Sequence, residues 1–306
     1  MKKFSPKVAI FYDWINQWGG AEKVLLDILK IYPKADILTF YYRPQTWLPK
    51  NIKVITPPFN LSQYNLVIST TSYFGYIIPA DIYYFHNVNR YLYNTPFKIL
   101  DQYLLPKNKI YLCNSKNVQT RLKNHFNICA SIVYPGIDIN KFTPISKPKK
   151  NYYLCVSRLV PYKKIDMAIK ACQNLKQKII IIGTGRQEKY LKSIANKKYV
   201  EFTGKITQDR LIKYYQNCIA LICPQIEDFG LTALEAQACG RPVIARNQGG
   251  SLETVTPKTG VFFGTNLSKV IKIFDKDKYP SIACRKNALK FSTANFMLNF
   301  KKHVKS

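Results

Sequence analysis

Residues 220–245, ALICPQIEDFGLTALEAQACGRPVIA, decide how the rest of the chain is read. Ala220–Cys223 is a short apolar run of the kind that forms a buried strand. A helix is expected from about Leu231, stopped by Gly240-Arg241-Pro242, and Val243–Ala245 is a second buried strand. Strand, loop, helix and strand in that order build a parallel sheet, whose ligands collect beyond the carboxyl ends of the strands. Two acids, Glu227 on the loop and Glu235 about one turn into the helix, can both face that edge. Between them Phe229-Gly230-Leu231 brings backbone N–H groups to a helix N-terminus, a place suited to a phosphate. Such a site holds an anion and hydroxyl groups together.

Outward from this stretch, the second half opens with a strand, Tyr152–Val156, followed by Ser157-Arg158-Leu159-Val160-Pro161-Tyr162-Lys163-Lys164. Arg158 and Lys163, five residues apart on a loop before a helix, can neutralise a diphosphate, one by its planar fork and one as a point charge. Near the start, the strand Lys7–Tyr12 leads through Asp13 to Gly19-Gly20-Ala21-Glu22 and a helix through Ile31. Paired glycines before a helix let backbone approach a ligand closely, but the spacing is not the G-x-G-x-x-G of a dinucleotide site. Ile82–Phe85 is an apolar strand ending in His86, an imidazole where open α/β sheets place ligands. Further strands are expected at Ile37–Phe40, Lys53–Thr56, Leu66–Ser69, Ile110–Cys113, Lys178–Gly183 and Gly260–Phe263. Taken singly each motif has a plainer reading: a solvated loop acid or basic loop, a tight turn, a histidine that caps a strand.

Together these motifs resemble glycosyltransferase family 4, retaining enzymes of the two-domain GT-B fold. Glu227 and Glu235 with Phe-Gly-Leu between them match its E-x-x-x-x-x-x-x-E motif. Arg158 to Lys163 match its R-L-x-x-x-K-G, with Lys164 in place of the usual glycine, and Gly249-Gly250-Ser251-Leu252-Glu253 matches its G-G-x-x-E. The resemblance covers nearly the whole chain, strongly over 152–263 and weakly over 41–110. It implies two Rossmann-like doubly wound α/β domains facing across a cleft. Residues 1–145 would form the acceptor-side domain, residues 146–285 the nucleotide-sugar domain, and residues 286–306 a helix returning to the first domain, with the polar segment 143–150 as linker. It implies that Glu227 takes donor-sugar hydroxyls and Glu235 the ribose hydroxyls. Arg158 and Lys163 would hold the diphosphate, with Gly19, Gly20, Phe229, Gly230 and Leu231 lining the substrates and His86 touching the transferred sugar. The expected reaction moves a hexose, with mannose favoured, from a GDP- or UDP-linked donor to a glycan or lipid-linked acceptor in cell-surface polysaccharide synthesis. No cofactor beyond that donor is expected. A catalytically inactive nucleotide-sugar-binding or scaffold protein on the same fold is the alternative.

Composition bounds the reading. The 306 residues are enough for two α/β domains, and 47% hydrophobic content can fill their cores. A net charge of +30 requires an anionic partner to be considered. The excess is spread over both halves, with 20 basic and 7 acidic residues in 1–150 and 27 and 10 in 151–306. That spread fits a general basic bias of the surface better than the focused footprint of a nucleic-acid site, and it leaves open a basic face resting on anionic lipid. Eight cysteines show neither C-x-x-C nor zinc spacing and are expected to be reduced and buried. No histidine cluster marks a metal site, and none is expected. The apolar run near the N-terminus ends at Asp13, too early for a signal peptide, and no run of about 18 apolar residues exists. A cytoplasmic protein, peripheral on the inner face of the membrane, is the expectation.

Overall fold

The structure, a computed structural model, describes residues 7–71, 77–88, 105–106 and 108–304. The basic start of the chain, residues 1–6, lies outside the described residues. The chain forms two compact units, residues 1–136 with 293–306, and residues 137–292.

The first unit contains, in chain order, β1 (Val8–Tyr12), β2 (Trp14–Ile15), α1 (Gly20–Ile31), β3 (Asp36–Leu38), β4 (Tyr41–Tyr42), β5 (Val54–Ile55), β6 (Leu66–Thr71), β7 (Ile82–Phe85), β8 (Ile110–Cys113), α2 (Lys116–Phe126) and β9 (Ser131–Ile132). Seven strands make one sheet in the order β5-β3-β1-β6-β7-β8-β9, parallel at every pairing. β2 and β4 pair on their own. Along β1, Val8, Ile10 and Tyr12 enter one core while Ala9 and Phe11 enter the other. Both faces of the strand are therefore covered, which is why it reads as an unbroken apolar run. The Ser115 hydroxyl accepts from Val118 N at 3.1 Å and caps α2.

The second unit contains β10 (Tyr153–Val156), α3 (Ile165–Asn174), β11 (Ile179–Ile182), α4 (Glu188–Ser193), β12 (Val200–Gly204), α5 (Gln208–Asn217), β13 (Leu221–Cys223), α6 (Leu231–Ala238), β14 (Val243–Arg246), α7 (Ser251–Thr254), β15 (Gly260–Phe263), α8 (Leu267–Lys272) and α9 (Ser281–Leu289). Its sheet runs β12-β11-β10-β13-β14-β15, again wholly parallel. The order reverses between β10 and β13, as it does between β1 and β6 in the first unit. Each reversal opens a crevice at the carboxyl ends of the two central strands. The polar segment 143–150 belongs to this second unit, tied by Gln216 Nε2 to Thr143 O at 2.8 Å and by Lys150 N to Asn217 O at 2.9 Å.

The last helix, α10 (Thr293–Val304), belongs to the first unit, where Phe296 and Phe300 are buried beside Tyr84 and α1. Seven cysteines are buried, but Cys129 is exposed, against the expectation for all eight. It sits in the connection between α2 and β9, outside any apolar strand. Among the described residues no helix is long and apolar enough to cross a membrane.

Candidate functional site

In the second unit the loops leaving β10 and β13 flank the reversal point, and they carry Lys163 and Glu227. Lys163 ends a 3-10 turn, Pro161–Lys163. Its ammonium donates to both carboxylate oxygens of Glu227, at 2.9 Å to Oε2 and 3.1 Å to Oε1. The two side chains are 14% and 17% exposed. The buried Gln225 amide donates to Glu227 Oε1, while its own Oε1 is buried with no hydrogen-bond partner among the described residues. Arg158 Nη2 donates to the Tyr162 hydroxyl at 2.7 Å, and the Lys163 ammonium lies 5.4 Å from the Tyr162 ring centroid. Burial opposes both charges of the pair, raising the Glu227 carboxyl and lowering the Lys163 ammonium. It is outweighed: Lys163, Gln225 and Arg158 hold Glu227 below its usual range, and Glu227 holds Lys163 above its own. Both groups are charged at neutral pH. Nearby Cys155, pushed up to about 12 by burial, stays a neutral thiol.

Glycines let these loops close on one another. Gly249 has a φ of +70°, and a Cβ there would stand 2.4 Å from the Glu227 carbonyl oxygen. A Cβ on Gly250 would stand 2.4 Å from the Asp228 carbonyl, and Gly250 N donates to Glu227 O at 2.8 Å. The Gly-Gly pair therefore fixes the height of the Glu227 loop by backbone contact alone. Across the site, a Cβ on Gly183 would meet the Ser157 carbonyl at 2.0 Å and one on Gly185 the Leu159 carbonyl at 2.4 Å. These glycines seat the loop that carries Arg158. Lys164, which stands where the sequence motif has glycine, is left-handed at φ +51°. The motif's glycine is thus explained by the backbone that the turn into α3 requires.

Glu235 lies on α6 and accepts from the hydroxyl of buried Tyr215 at 2.9 Å. This partner comes from α5. Gly230, at φ +105°, caps α6, and its carbonyl takes the Ala233 and Leu234 N–H groups. The N–H groups of Leu231 and Thr232 lie ahead of the helix's own ladder and are the ones available to an anion. The Phe229 side chain is buried edge-on against Phe291 at 5.8 Å, so only its backbone can serve a ligand.

In the first unit Gly19 and Gly20 open α1. A Cβ on Gly19 would stand 3.1 Å from Glu22 Oε2, so the glycine makes room for that buried carboxylate, whose Oε1 accepts from Tyr12 at 2.7 Å. His86 follows β7 at its carboxyl end, 6% exposed, with Nε2 at 2.5 Å from the Thr70 hydroxyl. Asn114 Nδ2 donates to its carbonyl at 2.7 Å. Burial lowers the His86 imidazole to about 3, so the ring is neutral at pH 7.

The family model described as Glycosyl transferases group 1 matches residues 136–290, half of the chain and nearly all of the second unit. The chain belongs to this family. A GDP-mannose-dependent monoacylated alpha-(1-6)-phosphatidylinositol monomannoside mannosyltransferase of Corynebacterium glutamicum is 32% identical over 167 residues, 45% of this chain and 44% of that protein. A GDP-mannose-dependent alpha-(1-6)-phosphatidylinositol monomannoside mannosyltransferase of Mycobacterium tuberculosis is 32% identical over 178 residues, 48% of this chain and 46% of that one. The matches thus span under half the length of these relatives. Among solved structures, Anabaena HepE in complex with UDP and glucose superposes with a TM-score of 0.82 at 21% identity, covering 99% of this chain and 100% of that one. A glycosyltransferase from Rickettsia africae gives 0.77 at 18% identity, covering 99% of each chain. At such identities the likeness establishes the fold, two Rossmann-like units of the GT-B kind.

The motifs of a group 1 glycosyl transferase assigned Lys163 and Glu227 to one donor site without showing that the two side chains would pair directly. Gln225 and Tyr162 were missed although both stand inside the quoted segments. Neither residue type signals chemistry on its own; what marks them is the charged group each one holds. Tyr215 had no signal beyond its place on the helix face that meets α6.

Proposed function

We propose that this chain transfers a hexose from a nucleotide-diphosphate sugar to a glycan or lipid-linked acceptor with retained anomeric configuration, the second unit binding the donor. The observation that carries the reading is the part-buried Lys163–Glu227 pair, closed across two loops at the point where the strand order reverses. A phosphate arriving at Lys163 draws on the same ammonium as Glu227 and leaves the carboxylate able to accept sugar hydroxyls. Arg158, Lys163 and the N–H groups at the start of α6 then face the negative charge that grows as the bond between the anomeric carbon and phosphate oxygen breaks. That electron pair ends on the leaving diphosphate, the acceptor oxygen bonds to the anomeric carbon on the same face, and the acceptor proton passes to a leaving-phosphate oxygen. Glu235 takes the ribose hydroxyls, and His86, neutral at working pH, is assigned to a sugar hydroxyl.

GDP-mannose is the favoured donor, on the strength of the named activities of the relatives. Cell-surface polysaccharide or glycolipid synthesis at the inner face of the membrane is the favoured setting. Donor turnover tests the reading: a panel of GDP-, UDP- and ADP-sugars is incubated with the protein, and nucleoside diphosphate release is followed. Release from one donor class, lowered roughly 10²- to 10³-fold by Lys163→Ala and by Glu227→Ala, supports it. Nucleoside diphosphate binding with no sugar released from any donor, even with acceptors added, would instead make this an inactive binding protein.

A further inference from the structure

The charge of the second unit is not spread evenly over its surface. In a parallel sheet every turn that precedes a strand lies at the amino-terminal edge, opposite the crevice where ligands collect. The turns before β10, β11, β12 and β15 place Lys149, Lys176, Lys178, Lys197, Lys198 and Lys258 there, all exposed. None of the residues 148–152, 175–178, 194–199 or 255–259 is acidic. Among the described residues none of those six lysines has an ion-pair partner, whereas neighbouring Lys150 is bound to Asp277 at 3.3 Å. Beside β10 this edge holds a concavity of about 300 Å³ lined by Lys149, Tyr152, Arg210, Lys213, Tyr214 and Asn217. Arg210, Lys213 and Asn217 recur at helical spacing along one side of α5. The Tyr152 hydroxyl donates to Tyr214 O at 3.0 Å, and the two rings stand 6.2 Å apart, edge to face. The acid that Tyr152 feels is Glu201. Three cations thus ring a floor of two aromatic rings.

We propose that this edge is a docking surface for an anionic bilayer, with the pocket between Lys149 and α5 taking one lipid phosphate headgroup. Charge complementarity selects the partner: cations arrayed along one edge attract a negatively charged surface, each contributing about fivefold to partitioning. The tyrosines suit the same partner, since an apolar ring with a polar tip rests at headgroup level. Docked in this way, the second unit turns the Lys163–Glu227 edge away from the bilayer, toward a water-soluble donor and the distal end of a glycan chain, so that of the acceptors proposed above this geometry suits the glycan. The inference deepens the peripheral-membrane part of the proposed function and does not depend on the transfer chemistry.

The test is co-sedimentation of the full chain with phosphatidylcholine vesicles containing 30% phosphatidylglycerol, and with phosphatidylcholine alone. The wild type is expected to bind only the anionic vesicles and to be released at high salt. Lys149→Ala/Arg210→Ala/Lys213→Ala should weaken binding about a hundredfold, while Lys34→Ala/Lys50→Ala/Lys301→Ala, removing the same charge from exposed sites of the first unit, should weaken it less than tenfold. Nucleoside diphosphate binding, measured on each variant, keeps folding and the donor site separate from docking. Equal losses in the two triples would overturn the proposal, as would a wild type indifferent to phosphatidylglycerol. Saturable binding of glycerol phosphate without vesicle binding, or RNA retained more tightly than vesicles at the same salt, would overturn it too.

Discussion

The Lys163–Glu227 pair makes a stability prediction independent of any substrate. Lys163→Met keeps the apolar stem and deletes the ammonium, leaving a carboxylate that is 17% exposed with Gln225 and no cation bonded to it. Removing one member of a fully buried pair costs 3–5 kcal/mol, and the residual exposure of this pair puts it at the low end, about 3 kcal/mol. Backbone amides of β10 and β13 such as Leu154 and Ile222 should then exchange with solvent about 150-fold faster. The double variant Lys163→Met/Glu227→Leu leaves no charge stranded and should return to within about 1 kcal/mol of wild type. The sign of the pH dependence follows from the two shifts. The Glu227 contribution is present above the ordinary carboxylate value of 4.5 and is lost as pH falls through its lowered value. The Lys163 contribution is present below the ordinary 10.5 and is lost as pH rises through its raised value. Wild-type exchange should therefore owe no pH dependence to the pair between about pH 5 and 10 beyond the intrinsic rate. Hydrogen exchange by mass spectrometry reads all of this. A single variant shifted less than threefold, or a double variant as labile as the single, refutes the reasoning.

Three further outcomes are expected. His86, held neutral down to about 3, should cost the fold up to about 1.4 kcal/mol per pH unit as pH falls from 6.5, because the unfolded chain takes up a proton that the folded one refuses. His86→Gln should flatten that slope in acid titrations followed by tryptophan emission, since Trp14, Trp18 and Trp47 all lie in the first unit; an unchanged slope contradicts the burial argument. Gly249→Ala meets both a left-handed backbone and the Glu227 carbonyl, and should cost about 2 kcal/mol in urea denaturation and abolish nucleotide binding, whereas Gly264→Ala, with open space around it, should cost less than 1 kcal/mol. Lys164→Gly relieves a left-handed lysine and should leave stability unchanged or raise it by up to about 1 kcal/mol; a loss of more than that would show the lysine side chain to be needed.

The elements that sequence made legible are those whose signal is local. Ile82–Phe85 and Gly260–Phe263 are strands at the residues expected, because a parallel strand covered on both faces has to be apolar throughout. β2 and β4 were not foreseen, since two-residue strands carry no periodicity and Trp14 finds Tyr41 only after α1 and β3 have folded between them. The site divides the same way. Its acids and cations are visible as residue types at family spacing. That they serve one donor site followed from the family resemblance; the direct Lys163–Glu227 contact depends on β10 and β13 being neighbours, a property of strand order that no window of sequence contains. Lys164 shows the converse, where a departure from the motif is explained by one dihedral angle. The charge asymmetry was invisible for a related reason. Counted by halves the lysines look uniform, and only the topology gathers the pre-strand turns onto one edge.

The most direct test of the central claim, that Arg158, Lys163 and the start of α6 form a diphosphate site, is calorimetric titration of wild type and Lys163→Ala with GDP, UDP, their monophosphates and the free nucleosides. One diphosphate should bind the wild type at least tenfold more tightly than its monophosphate, and the variant should lose that advantage while nucleoside affinity changes less than threefold. Diphosphate and monophosphate bound alike by the wild type, or an unchanged preference in the variant, would contradict it.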